Sequence, residues 1–336
     1  MKILVTGASG FIGSFIVEEA IRRGMETWAA MRGSSKRDFL TDERIQFIEL
    51  NLSSQEQLEN QLRGHEFDYV VHAAGVTKCL DKSDFYKINT EGTKNLVRAL
   101  INLRMPLKRF VYVSSLSIFG DIREQQPYQE ICETDTPRPN TDYGRSKLQA
   151  EQWLDSLLED ESSESFPYVV LRPTGVYGPR ERDYFMMAKS IQQHTDFAVG
   201  FQQQDITFVY VLDVVQAVFL ACKKGKKGRK YFLSDGQVYQ SATFSDLIRQ
   251  ELGNPWWIRI TAPIWLLRII TFLGDKWGHM TGKISALNND KYHIMKQRNW
   301  RCDIEPARRE LGYEPKYTLA EGVPLTIKWY KENGWL

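Results

Sequence analysis

The chain has 336 residues, with 44 lysines and arginines against 42 aspartates and glutamates, so its formal net charge is +2. Domains run to roughly 100–200 residues, so this length suits two modest domains or one large one with an elaborated end. Near-neutrality removes the usual electrostatic argument for nucleic acid or an anionic membrane surface, and 42% hydrophobic with 26% charged residues excludes a disordered chain.

Lys2–Thr6 (KILVT) predicts a short buried strand, and Phe11–Arg23 a helix stopped by Gly24. Thr27–Met31, Ile45–Leu50, Tyr69–His72, Phe110–Ser114 and Tyr168–Arg172 predict further strands. Helices are predicted between them at Gln55–Leu62, Asp84–Leu103 and Asp142–Leu158. Strands separated by such helices need right-handed crossovers, which gives an α/β fold with a doubly wound parallel sheet covered on both faces. Glu159–Ser165 (EDESSES) and Lys223–Lys230 (KKGKKGRK) read as solvated loops. The apolar run Pro255–Leu273 is interrupted by Arg259, Pro263 and Arg268, so it fails as a bilayer span. Its second half predicts an apolar helix opening at Pro263 and stopped by Gly274. Seven of the nine tryptophans lie in this last part of the chain: Trp256, Trp257, Trp265, Trp277, Trp300, Trp329 and Trp335.

The four cysteines (Cys79, Cys132, Cys222, Cys302) have no CxxC spacing and the five histidines no HExxH pattern, so neither a metal site nor a disulfide framework is expected. Met1-Lys2 leads straight into the first strand without a charged leader and apolar region, which reads as a cytoplasmic protein with reduced thiols.

The first strand is followed at once by Thr6-Gly7-Ala8-Ser9-Gly10-Phe11-Ile12-Gly13. Glycines spaced G-x-x-G-x-x-G between strand and helix let the backbone approach a pyrophosphate, which the free N–H groups of the helix N-terminus attract. Gly7, Ser9, Gly10, Phe11, Ile12 and Gly13 are the residues expected at a dinucleotide. The second strand ends Ala30-Met31-Arg32-Gly33-Ser34-Ser35-Lys36-Arg37, with no carboxylate before Asp38. Arg32, completed by Ser34, Lys36 or Arg37, suits a ribose 2′-phosphate, so NADP(H) is favoured and NAD(H) is second. Tyr143 and Lys147 stand at i and i+4 of a predicted helix. A phenol of ordinary pKa about 10 is a poor proton donor–acceptor at neutral pH, and a lysine cation one turn away would lower that value.

These features recur in TGASGFIG (Thr6–Gly13), DYVVHAAG (Asp68–Gly75), NTEGTKNL (Asn89–Leu96), RFVYVSSLSIFG (Arg109–Gly120), YGRSK (Tyr143–Lys147), LRPTGVYGPR (Leu171–Arg180) and FVYVLDVV (Phe208–Val215). In these runs and their order the chain resembles the extended short-chain dehydrogenases/reductases, the superfamily of the NAD-dependent epimerases and dehydratases. The resemblance covers about the first two thirds of the chain. It implies a Rossmann domain over residues 1–173, with about 206–235 returning to it, and a smaller substrate-binding domain from 174–205 and 236–336.

The resemblance also implies roles. Tyr143 would be the general acid/base, Lys147 its partner and a ligand of the nicotinamide ribose, and Ser115 a hydrogen-bond donor to the substrate oxygen. Ala73, Ala74 and Gly75, with Ser114 near them, would line the cofactor, and Asn89 would support the catalytic helix. Asn51, beside Leu52, stands where the family usually has an aspartate on the adenine, and Pro173 and Val176 would pack near the nicotinamide.

Departures point to a branch. Sugar-nucleotide epimerases tend to carry a phosphate-binding arginine where this chain has Ile206, and an asparagine on the diphosphate where it has Gly175. Dehydratases place Asp-Glu where it has Leu116-Ser117. The remaining pattern is nearest the dihydroflavonol reductases and 3β-hydroxysteroid dehydrogenases, implying an apolar ketone or secondary alcohol as substrate. Trp256, Trp257, Ile264, Trp265, Leu266 and Leu267 would supply an apolar surface for it; a small-domain core and a peripheral membrane contact are the rival readings of the same residues. A nucleotide-sugar epimerase with tightly held NAD is the alternative enzyme, and a non-enzymatic dinucleotide sensor is disfavoured by the intact Ser115, Tyr143 and Lys147. A homodimer through Asp84–Leu103 and Asp142–Leu158 is the implied assembly.

Overall fold

The computed structural model describes residues 1–159, 166–281 and 288–336; of the acidic run read as a loop, all but Glu159 lies outside them. In chain order the elements are β1 (Lys2–Thr6), α1 (Phe11–Arg22), β2 (Glu26–Met31), β3 (Gln46–Glu49), α2 (Gln55–Leu62), β4 (Tyr69–His72), α3 (Ser83–Phe85), a π-helix (Tyr86–Glu91), α4 (Gly92–Asn102) and β5 (Arg109–Val113). There follow α5 (Asp142–Glu159), β6 (Tyr168–Pro173), β7 (Gly175–Tyr177), α6 (Arg182–Gln192), β8 (Thr195–Val199), β9 (Asp205–Ile206), β10 (Phe208–Tyr210), α7 (Val211–Lys224) and β11 (Lys230–Leu233). The chain closes with β12 (Tyr239–Gln240), α8 (Thr243–Glu251), β13 (Ile258–Ala262), α9 (Ile264–Thr281), α10 (Asn289–Lys296), α11 (Glu305–Leu311) and α12 (Leu319–Glu332).

Seven parallel strands form one sheet in the order β11-β6-β5-β4-β1-β2-β3, the doubly wound arrangement expected. Its strands are apolar on both faces because helices cover both. Ile3, Val5, Val71 and Val111 face Ile16, Val17, Val214, Val218, Ala307 and Leu311 of α1, α7 and α11. The alternate residues Leu4, Val70, Phe110 and Tyr112 face Leu58, Leu62, Leu96, Ala150 and Leu154 of α2, α4 and α5. A separate aromatic core gathers Tyr177, Phe208, Tyr210, Phe244, Ile248, Val323, Ile327 and Tyr330 from β7, β10, α8 and α12.

Two predicted helices need correction. Asp84–Leu103 is not continuous: Tyr86–Glu91 is a π turn in which Gly92 N–H donates to Lys87 O. This widening carries Asn89 and Thr90 onto α5, where Thr90 Oγ1 donates to Ser146 O at 2.8 Å. Gly274 does not stop the apolar helix either, for α9 runs on to Thr281. A glycine inside a helix costs only about 1 kcal/mol, which neighbouring turns offset. Of the basic loop Lys223–Lys230, both ends are regular, closing α7 and opening β11.

Candidate active site

The turn after β1 is built for a close neighbour. Gly7 has φ +70°, and a Cβ there would lie 2.6 Å from Ala74 N; one on Gly13 would lie 2.1 Å from Gly7 O. No side chain fits either place, so the backbone of β1–α1 is drawn against Ala73-Ala74 and its N–H groups open toward the carboxyl end of the sheet. This cradle fits a dinucleotide pyrophosphate.

A chain of hydrogen bonds fixes the facing loop. Thr93 Oγ1 donates to Asn89 O at 2.7 Å, so His72 Nε2–H donates to Thr93 at 2.9 Å and Nδ1 accepts from Thr6 Oγ1 at 2.6 Å. Ala74 N–H then donates to Thr6 Oγ1 at 3.4 Å. Burial, aided by the Lys147 charge, pushes His72 down to about 3, so the imidazole stays neutral in this role. No motif in the sequence singles out His72.

Asn89, carried inward by the π turn, accepts from Val76 N at 2.8 Å and donates to Val76 O and Ser146 Oγ, each at 3.0 Å. It therefore joins the loop after β4, where Gly75 leaves room for the Lys147 Nζ, to α5. Helix α5 begins at a double cap: Thr141 Oγ1 accepts from Gly144 N at 3.0 Å, and the Asp290 carboxylate of α10 accepts from Asp142 N at 3.3 Å and Tyr143 N at 3.2 Å. Tyr143 is half-buried in the first turn, close enough to Ser115 to feel its hydroxyl. Ser115 is held in turn by Ser117, whose N–H it accepts at 3.1 Å.

Burial pushes the Tyr143 phenol above its ordinary value, and the nearby Ser115 hydroxyl works the other way. Lys147, one turn further on, donates its Nζ to Val113 O at 2.9 Å and lies 4.8 Å from the Tyr112 ring centroid. A buried ammonium needs an oxygen, and the last carbonyl of β5 is the one within reach. Burial pulls Lys147 down to about 8, against the Glu151 charge, which raises it. A depressed cation is charged below that pH and neutral above it. We expect kcat/KM for the dinucleotide, which reports the free enzyme, to fall as pH rises through about 8. Lys147→Arg should move the fall upward, and a wild-type profile flat across that range would show that the cation is not needed.

The side chain of Ser114 is turned into the interior. Its hydroxyl is buried and donates to Glu151 Oε1 at 2.5 Å, beneath the site. Asn51 is likewise committed, accepting from Ser53 N at 3.1 Å and Ser53 Oγ at 2.7 Å while donating to Gln57 Oε1 at 2.6 Å. Leu52, half-buried, lies against Gly92 and offers its carbonyl to Asn95 Nδ2 at 3.0 Å. Arg32 and Lys36 are exposed after β2, and neither is paired with a carboxylate among the described residues. Glu49, which no sequence signal marks, ends β3 and accepts Gly33 N–H at 3.1 Å, so this rim holds a carboxylate as well.

A cavity of about 330 Å3 opens beside Ser115 and Pro173, within the range of small-molecule sites. Gly175, Ile206, Leu116 and Ser117 line it, so the positions that depart from the sugar-nucleotide enzymes all face one space. Val176 is partly buried and packs against the sheet core. The aromatic tail is redistributed. None of Trp256, Trp257, Ile264, Trp265, Leu266 and Leu267 lines the cavity, whereas Trp300, Phe197, Ile294 and Met295 do. Trp256 stacks on His194 with centroids 4.1 Å apart, and Trp257 lies under Arg259. Trp329 and Trp335 join the aromatic core. Arg259 is the cavity's unpredicted cation, but it is spent on carboxylates, donating to Asp196 at 2.6 Å and Asp246 at 2.7 Å. Among the described residues no cluster of His, Cys, Asp and Glu could hold a metal ion.

Residues 3–234 match the profile of the NAD dependent epimerase/dehydratase family. Among curated proteins the chain is 26% identical to UDP-glucose 4-epimerase of Vibrio cholerae, covering 97% of this chain and 94% of that one. It is also 26% identical to the 4-hydroxy-2-methyl-3-oxo-4-farnesyl-3,4-dihydroquinoline-1-oxide ketoreductase of Stigmatella aurantiaca, covering 96% and 95%. Among solved structures, the dTDP-glucose 4,6-dehydratase of Streptomyces venezuelae, with NAD bound, superposes with a TM-score of 0.80 at 21% identity, covering 100% and 98%.

Proposed function

Because the chain belongs to the NAD dependent epimerase/dehydratase family and is an enzyme of the extended short-chain dehydrogenase type, we propose that it moves a hydride between NADP(H) and a ketone or secondary alcohol on an apolar small molecule. The observation that carries this is the cavity beside Ser115, where Ile206 and Gly175 offer a diphosphate nothing to bind and Arg259 is neutralised by Asp196 and Asp246. The ketoreductase relative, named for a farnesylated ketone, supports the same substrate class.

The dinucleotide, when bound, supplies or receives the hydride. Backbone N–H groups between Gly7 and Gly13 take its pyrophosphate, Ala73 to Gly75 face it across the sheet end, and Arg32 with Lys36 takes the 2′-phosphate. Ser115 donates a hydrogen bond to the substrate oxygen, and Tyr143 gives its hydroxyl proton to that oxygen as the carbonyl is reduced. Lys147, below pH 8, keeps a positive charge beneath the site that favours the phenolate left behind. Pro173 closes the cavity's inner wall.

The test follows NADPH absorbance against soluble and apolar ketones, steroids and nucleotide sugars. Consumption with an apolar ketone is the expected result. Dinucleotide retained through purification, with no net consumption and conversion of a nucleotide sugar, would instead establish the epimerase alternative. Arg32→Ala is expected to weaken NADPH by about tenfold, a charge-assisted contact's worth, and to leave NADH unchanged. An equal effect on both would remove Arg32 from the 2′-phosphate.

A further inference from the structure

Helix α9 is inside out. Its inward stripe is narrow and partly polar, with Leu267 and Thr271 buried and Gly274 and Asp275 half-buried. The opposite face carries Trp265 (65% exposed), Ile269, Phe272, Leu273, Trp277 (68%) and Met280, all open to solvent. A helix with its apolar face turned out has not found what covers it.

The surface continues beyond the helix. β13 runs directly into α9 through Pro263 and pairs in parallel with β8, with Ile260 opposite Phe197. Ile258, Ile260 and Phe197 are exposed on this ribbon and Phe201 just beyond it, while Asp196 and Arg259 point inward to each other. Phe197 also lines the cavity, so the apolar surface runs to the mouth of the proposed substrate site.

We infer that this face docks on the surface of a bilayer containing anionic phospholipid, and that the cavity takes its apolar substrate from that bilayer. Two observations select lipid over a protein partner. Tryptophans among branched apolar residues suit the headgroup–acyl boundary. The charges exposed on α9 are the cations Arg268 and Lys276, whereas its carboxylate, Asp275, is turned toward α10 and accepts Asn289 N–H at 3.1 Å. No helix among the described residues is long and apolar enough to cross a membrane, so α9 lies in the boundary rather than spanning it. The docking rests on these exposed residues alone; the delivery of substrate rests on the reading of the cavity given above.

The experiment is sedimentation of the full chain with vesicles of phosphatidylcholine, with and without phosphatidylglycerol, alongside gel filtration without lipid. The wild type is expected to sediment with the mixed vesicles. The triple variant Ile269→Gln, Phe272→Gln, Trp277→Gln should partition about tenfold less or weaker still, with the same unfolding midpoint, since all three side chains are exposed. Arg268→Ala with Lys276→Ala should weaken binding to the mixed vesicles only. A wild type that stays in the supernatant overturns the docking, and so does a dimer that the triple variant dissociates without any vesicle binding. A ketone dispersed in the mixed vesicles should be turned over more slowly by the triple variant, while a water-soluble ketone is turned over equally. Equal rates on both overturn delivery. Turnover of no ketone, with vesicle binding intact, rejects the substrate reading and leaves the docking standing.

Discussion

Tyr143→Phe is expected to lower ketone turnover by about 10²–10⁴-fold, the range set by loss of a positioned proton donor, with NADPH affinity nearly unchanged. The asymmetry follows from where the hydroxyl stands. It stands by Ser115, on the substrate side, whereas the dinucleotide cradle is built from the backbone of β1–α1 and the loop after β4. The variant should fold, because Ser115 retains Ser117 as a partner at 3.1 Å and the helix caps at Thr141 and Asp290 do not involve the phenol oxygen. Turnover by absorbance and cofactor binding by NADPH fluorescence separate the two effects. Wild-type turnover would exclude Tyr143 as the acid; lost cofactor binding would make its role structural.

Glu151→Ala should unfold the protein more readily by about 3–5 kcal/mol, the cost of leaving a buried charge without its partner. Glu151 lies two turns beyond Tyr143 on α5 and is fully buried. It accepts from Arg172 Nη2 at 2.5 Å and Nε at 3.2 Å, and from Ser114 Oγ at 2.5 Å, so it clamps β5, β6 and α5 under the site. Burial alone would raise its carboxyl, but the Arg172 guanidinium, with smaller help from Lys230 and Ser114, holds it below the ordinary value. A depressed carboxyl stabilises the fold above the ordinary carboxylate range, and that contribution is lost as pH falls through the folded-state value. Wild type should therefore lose stability on the acid side more steeply than Glu151→Ala in urea unfolding at a series of pH values. Parallel curves would mean that the pair contributes no net charge stabilisation.

Much of the sheet was legible because its central strands β1, β4, β5 and β6 are buried on both faces and so write nearly unbroken apolar runs. Tyr69–His72 and Gln55–Leu62 have the predicted bounds. The glycine turn and the Tyr143–Lys147 spacing were legible because their chemistry demands fixed local intervals. What escaped depends on partners distant in sequence. The β8–β13 ribbon joins Asp196 to Arg259, and a parallel pairing across such a gap leaves no local trace. His72 gains its role only when Thr6 and Thr93 meet it from other elements. The apolar tail was visible as composition, but composition does not say which way a side chain faces, so it left substrate wall, core and membrane contact open for Trp265 and its neighbours.

The π turn at Tyr86–Glu91 limits how this chain can change length. It holds one residue more per turn than the helix that follows, and that surplus is what aims Asn89 at Val76 and Ser146. Deleting a single residue there would let the helix close in ordinary register, keeping the flanking turns on their faces but removing the surplus that carries Asn89 inward. The side chain joining the cofactor loop to α5 would then be another one, although no part of the sheet had moved. Insertions and deletions are usually tolerated at loop tips. Here a one-residue slip inside a helix would uncouple the two halves of the active site while leaving the fold intact.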